Sequence, residues 1–151
     1  MTRFTSSRRM LFLALTALSA ACSGTEEVQW GPAPSSFPKG AELAVIQGNP
    51  AQEGQVFTVR LRMPNDYLIP PHFHPEDEHV TVLQGTFQVG LGTTVGTPAA
   101  TLHTSGFITA PAGVPHWGRA RGQTVVQVHG IGPFKTTYVQ EDGEPIPGGG
   151  Q

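Results

Sequence analysis

The stretch "PPHFHPEDEHVTVLQGTF", residues 70–87, packs three histidines and three carboxylates into the eight positions from His72 to His79, then turns apolar. The 151-residue chain is only 13% charged, so the cluster is not an ordinary solvated face. His72 and His74 are two residues apart, and in an extended chain both side chains project to the same face. Pro70 and Pro71 keep the approach extended, because the residue before a proline avoids the helical region. Pro75 and the acids after it allow a turn. Glu78 then shares a face with Val80 and Val82 of the next strand. A carboxylate at the end of a core-facing row is costly unless it is paired or bound to a cation. Two imidazoles and a carboxylate converging at one barrel mouth remove that cost by binding a divalent metal.

Outward from this stretch, the chain is a string of short β signals at 42–48, 55–63, 78–85, 86–92, 107–113, 123–130 and 134–139. Val, Ile, Thr, Phe and Tyr dominate them, and Gly, Pro or Asn fill the gaps. In "QVFTVRLRM" (55–63), Val56, Leu61 and Met63 are interleaved with Arg60 and Arg62, as in a half-buried strand. No stretch after the leader keeps a 3.6-residue period. Gly (19) and Pro (14) exceed a fifth of the residues together, which favours strands and tight turns over long helices. The expectation is one all-β sandwich or barrel over 41–139. A flexible Ser/Gly/Pro-rich tether precedes it at 22–40, and a disordered tail follows at 140–151.

The N-terminus, "MTRFTSSRRMLFLALTALSAACSG", places Arg3, Arg8 and Arg9 before an apolar run from Met10 to Ala21. That order predicts a secretory signal peptide over residues 1–21, too short for a comfortable membrane span. "LSAAC" resembles a bacterial lipobox, although Ser19 stands where Leu is usual. Cys22, the only cysteine, has no intrachain disulfide partner and is the expected lipidation site. "SSRRMLF" resembles a twin-arginine signal with Leu11 and Phe12 exchanged, so both export routes stay open. The protein is therefore expected in the cell envelope, lipid-anchored through Cys22 or free in the periplasm. Cleavage before Cys22 leaves six Lys plus Arg against eleven Asp plus Glu, 6 minus 11 or −5. Such a balance excludes the basic stripe that nucleic-acid binding needs.

The pattern His72-x-His74-x3-Glu78-x6-Gly85 resembles the first signature motif of the cupin superfamily. "GFITAPAGVPH" (106–116) resembles the second, with Pro111, Gly113 and His116 at the family spacing. Two departures stand out. Only four residues separate Gly106 from Pro111, and Ala120 replaces a frequent asparagine. The resemblance implies a cupin β-barrel (a double-stranded β-helix or jelly roll) with metal ligands His72, His74, Glu78 and His116. It also implies a divalent transition metal, such as Mn, Fe, Co, Ni or Zn, with open positions for a small molecule. "DEHVTVLQGTF" and "VQVHGIGPF" are further similar to small bacterial cupins akin to the cupin module of zinc-dependent anti-sigma factors. A homodimer follows from the resemblance alone.

The other histidines read differently. His79 follows Glu78 and faces away from the cluster on a regular strand. His129 sits late in an apolar strand, where one residue of slip decides between cavity and solvent; it is the candidate acid or base if the protein is an enzyme. His103 reads as a surface residue, and Glu76 and Asp77 as turn residues that draw cations. Val80, Val82, Phe87, Phe107 and Trp117 are the expected pocket wall. Two functions stay open: a metal-dependent oxygenase- or isomerase-type enzyme acting on a small molecule, or a non-catalytic metal- or ligand-sensing module.

Overall fold

The structure is a computed structural model, and it describes residues 27–147. The expected signal peptide, Cys22 and the first residues of the tether lie outside the described residues. Among the described residues nine strands follow one another: β1 (Gly31–Pro32), β2 (Glu42–Gln47), β3 (Val56–Met63), β4 (Leu68–Phe73), β5 (Glu78–Leu91), β6 (Ala100–His103), β7 (Phe107–Ala110), β8 (His116–Ile131) and β9 (Thr137–Tyr138). Among the described residues there is no helix.

The architecture hangs on the two long strands, which pair antiparallel from His79↔His129 through to Leu91↔His116. The first half of β5 also pairs with β7, and the second half of β8 with β3, which continues to β2 and β1. The second half of β5 pairs with β6, and the first half of β8 with β4, which continues to β9. Two sheets result, β1-β2-β3-β8-β5-β7 and β9-β4-β8-β5-β6, joined because β5 and β8 belong to both. This is the expected all-β sandwich, curled into a barrel.

Glycine makes the bend possible. Gly85 in β5 has φ +83° and lies among register shifts at Val82/Gln84 and Gln84/Thr86; Gly122 in β8 has φ +73°. Both sit in the left-handed region, where side chains are strained. The bend also switches the inward phase of β5, from Val80 and Val82 before it to Phe87 and Val89 after it; all four are buried. They meet Phe57, Val59, Leu61 and Met63 of β3 and Val126 and Val128 of β8 in one core. Trp117, 2% exposed, lies against Gly90, where a Cβ would come 2.1 Å from the indole.

The structure departs from the sequence reading at four points. Segments 78–85 and 86–92 form one bent strand, because Gly85 turns the chain without ending the ladder. β4 went unread because "LIPPHF" carries two prolines, which a central ladder does not tolerate. The structure accommodates them at a register shift between Ile69 and His72. The described part of the expected tether is docked: β1 pairs with β2, Ala33 N–H donates to Ala41 O, and Trp30 lies 4.4 Å from the Arg62 guanidinium. The described part of the expected tail likewise folds back, with Ile146 N–H donating to Tyr138 O.

The two corner glycines differ in a measurable way. Alanine at Gly122 meets nothing within 4 Å, so only backbone strain acts, at about 1–2 kcal/mol. Alanine at Gly85 would also place its Cβ 2.5 Å from Gln123 O. Gly85→Ala is expected to destabilise by about 2–4 kcal/mol and by more than Gly122→Ala, as read from urea midpoints.

Candidate metal centre

Four side chains from the ends of three strands meet at one end of the barrel. His72 comes from β4, His74 from the residue just beyond it, Glu78 opens β5 and His116 opens β8. One ligand atom from each can be chosen so that all lie within 4.8 Å of one another. His72, His74 and His116 are 4%, 3% and 4% exposed, so water cannot serve as their general partner.

Backbone carbonyls set the rings. Nδ1 of His72 lies 2.7 Å from Pro70 O and Nδ1 of His116 lies 3.0 Å from Val114 O, the same two-residue-back arrangement used twice. Nδ1 of His74 lies 2.9 Å from Lys135 O. A carbonyl can only accept, so each ring carries a proton on Nδ1. The Nε2 lone pairs of His72 and His74 are bare, whereas His116 Nε2–H donates to the Glu78 carboxylate. Glu78 Oε2 lies 3.2 Å from His116 Nε2 and 3.7 Å from His74 Nε2. His74 Nε2 itself is buried without a hydrogen-bond partner. An orphaned buried acceptor is costly. A cation among the three Nε2 atoms and the carboxylate, taking the place of the His116 Nε2 proton, satisfies it, and imidazole with carboxylate suits a borderline divalent transition ion. The residues therefore fit a metal, and each ring is oriented by a backbone partner as ligating histidines are.

Electrostatics agree. Burial, reinforced by the neighbouring His116 and His74 rings, pushes the His72 pKa down to about 3. Burial also lowers His74, with Glu78 opposing. For Glu78, burial works against the charged form, but the His116 hydrogen bond and the surrounding rings outweigh it and hold the carboxyl at about 2. For His116, burial is outweighed by the Glu78 carboxylate, so its pKa rises. Near neutral pH the cluster offers neutral His72 and His74 rings and an ionised carboxylate.

The cavity beside the cluster is about 30 Å³, room for little more than water, and its remaining wall is apolar. Val80, Phe87 and Trp117 line it as expected, while Val82 is core behind it. Phe107 does not: it is 55% exposed, because the register of β7 turns Ile108 and Ala110 inward instead. Two residues that sequence reasoning missed as wall are Phe37, from the docked N-terminal segment, and Phe134, stacked 4.5 Å from His74 at 21°. Neither belongs to a strand, so no alternation pointed to them.

The structure does not bring His129 to the cluster. Its chain neighbour Val128 points into the core, so His129 points outward, where it stacks on His79. The acid or base role expected of His129 is thereby corrected: the barrel wall stands between them. His103 is exposed on β6, with Thr86 Oγ1 3.2 Å away.

Residues 59–131 match the family described as "Cupin domain". No curated protein matches the sequence. Among solved structures, a candidate acetylacetone dioxygenase from Methylibium petroleiphilum PM1 is similar at TM-score 0.63 and 19% identity, over 95% of this chain and 90% of that one. An acetylacetone dioxygenase from Acinetobacter johnsonii is similar at TM-score 0.61 and 12% identity, over 96% and 89%. The Rhodobacter sphaeroides complex of SigE with the anti-sigma ChrR is similar at TM-score 0.53 and 18% identity, over 70% of this chain and 51% of that one. At these identities the likeness establishes the fold.

The buried rings have a consequence for stability. His72 and His74 have lowered pKa values, so below the ordinary value of 6.5 the unfolded chain binds more protons and the fold is progressively destabilised. His116, raised, acts in the opposite sense: its contribution is present below 6.5 and lost as pH rises through its folded pKa. The contribution of Glu78 is present above 4.5 and lost as pH falls toward about 2. With two imidazoles against one, the melting temperature of metal-free protein is expected to fall from pH 6.5 to 4.5. A flat or rising profile would show that the rings accept protons in the folded state.

Proposed function

Because this chain carries a cupin domain, we propose that His72, His74, Glu78 and His116 hold one divalent transition ion and that the protein acts on a small molecule through it. The observation that carries this reading is the convergence of three carbonyl-oriented imidazoles and one carboxylate on a small apolar cavity. Bound there, Mn, Fe, Co, Ni or Zn supplies a Lewis acid with coordination positions open to a ligand.

The chain's own residues narrow the ligand. Among the described residues no Lys or Arg lines the cavity, so a carboxylate or phosphate finds no counter-charge there away from the cluster. The apolar wall suits a small, weakly charged chelator with two oxygen donors on a hydrocarbon body. The acetylacetone dioxygenases among the similar structures support that reading by their names. Among the described residues no other titratable side chain lines the cavity, so proton transfer falls to the four cluster residues or to bound water. That same poverty favours the second reading, a non-catalytic metal- or ligand-sensing module, as does the likeness to ChrR. In either case we place the domain in the cell envelope, exported by the leader and anchored through Cys22.

Access depends on the N-terminal segment. A groove of about 400 Å³ lies outside the cavity and shares Phe37, Leu43, Val59 and Phe134 with it. Leu43 and Val59 belong to paired strands, whereas the segment around Phe37 is tied by few bonds, Tyr67 O–H donating to Pro38 O among them. Phe37 is the side chain that swings to admit a ligand. Phe37→Ala is expected to leave the barrel folded while a chelator strips bound metal several-fold faster; unchanged release would place the entrance elsewhere.

The deciding experiment is elemental analysis of untagged mature protein beside His72→Ala and His116→Ala. About one transition ion per chain, lost in both variants while circular dichroism stays β-rich, is the expected result. Iron or manganese directs work to oxygen uptake with β-dicarbonyl compounds, and zinc to the sensing reading. No metal after reconstitution would end the assignment.

A further inference from the structure

A second pair of imidazoles stands on the outer face of the barrel, apart from the cluster. His79 of β5 and His129 of β8 are direct register partners on adjacent antiparallel strands. Their ring centroids are 4.9 Å apart and the planes 28° from parallel. Both rings are half-buried. Their chain neighbours Val80 and Val128 are 4% and 5% exposed and point inward, so alternation sends the two histidines outward.

The pair is held rather than loose. Thr109 Oγ1 lies 3.0 Å from His79 Nδ1, and Phe107 stacks over the same ring at 6.2 Å and 13°. With Nδ1 engaged, Nε2 of His79 remains available. His129 makes no side-chain hydrogen bond among the described residues, so either of its nitrogens can turn to a ligand. Opposed strand positions place their Cβ atoms about 4.5–5.5 Å apart, close enough for two imidazoles to reach one ion after a modest ring rotation. The shared groove, about 300 Å³, is lined also by Val56, Glu76, Asp77, Gly130 and Ile131. It holds two carboxylates and no Lys or Arg. Asp77 Oδ1 accepts the Ala112 N–H at 2.8 Å, whereas the exposed Glu76 makes no side-chain hydrogen bond among the described residues.

We propose that His79 and His129 form a second, surface site for a borderline divalent transition ion such as Cu²⁺, Ni²⁺ or Zn²⁺, with Glu76 supplying the neighbouring negative charge. Imidazole pairs favour these ions, whereas Mg²⁺ and Ca²⁺ require sets of oxygen ligands. Two protein ligands with water completing the shell make the site exchangeable. It does not depend on the buried cluster and stands whether or not that cluster is catalytic.

The test uses a probe that cannot enter the barrel. Untagged mature protein is passed over Ni²⁺ held on a chelating resin, where the tethered ion reads only imidazoles at the surface. Wild type is expected to be retained, and His129→Ala to elute at several-fold lower competitor imidazole with an unchanged melting temperature. His103→Ala, which removes the solitary exposed imidazole on β6, is expected to elute with wild type. As a second measurement, His129→Asn keeps a polar group of similar reach but removes the metal-binding ring, and it is expected to behave as His129→Ala. Failure of wild type to bind, retention unaffected by the loss of His129, or retention lost with His103 would each overturn the proposal.

Discussion

Everything at the buried centre depends on folding one antiparallel ladder over on itself. Glu78 opens β5, while His116 opens β8 opposite Leu91, thirteen positions further along the ladder. At about 3.3 Å per residue, a flat ladder would hold those two side chains roughly 40 Å apart. In the structure Glu78 Oε2 and His116 Nε2 are 3.2 Å apart. The corners at Gly85 and Gly122 close that distance, because left-handed backbone lets both strands turn while their pairing resumes on either side. Hydrophobic burial drives the closure, since the two sheets bury Phe57, Val59, Leu61, Val80, Val82, Phe87, Val89, Val126 and Val128 against one another.

The cost of that closure falls on polar atoms. Three imidazoles and a carboxylate are carried into the apolar interior, and backbone carbonyls satisfy only one nitrogen of each ring. Glu78 and His116 pair, yet His74 Nε2 is left without a partner. A barrel built for stability alone would replace such a group with well-packed apolar side chains. The retained arrangement, three Nε2 atoms and a carboxylate gathered within 4.8 Å, suits a cation. Among the described residues, every titratable group lining the cavity belongs to that cluster, which leaves no separate acid or base beside it.

The N-terminal segment changes the picture of access. A chain that would be a tether by composition packs Trp30 on Arg62 and Phe37 against the cavity, with Phe134 beside it. These contacts leave about 30 Å³ beside the ligands, so the described conformation is closed around the site. Ligand entry is then a matter of local opening, and weakly bonded segments at the barrel mouth supply such motion at low cost.

The sequence by itself determined the all-β class, the shared face of His72 and His74, and the placing of Glu78 on a core-facing row. Those follow from a two-residue period that local sterics impose. Through the resemblance of residues 106–116 it also singled out His116. Tertiary structure alone decided the rest. One bent ladder replaced two strands at 78–92, because a single left-handed glycine reads as a turn when the pairing partner is unknown. The facing of His129 and Phe107 could not be read, because register on the partner strand decides it and a slip of one residue reverses it. Phe134 read as the start of a strand at 134–139, where the strand is only Thr137–Tyr138, and Phe37 read as tether; nothing local marks a loop side chain that packs across a barrel mouth. Local chemistry is written in spacing, whereas contacts between residues far apart in the chain exist only once the sheets have closed.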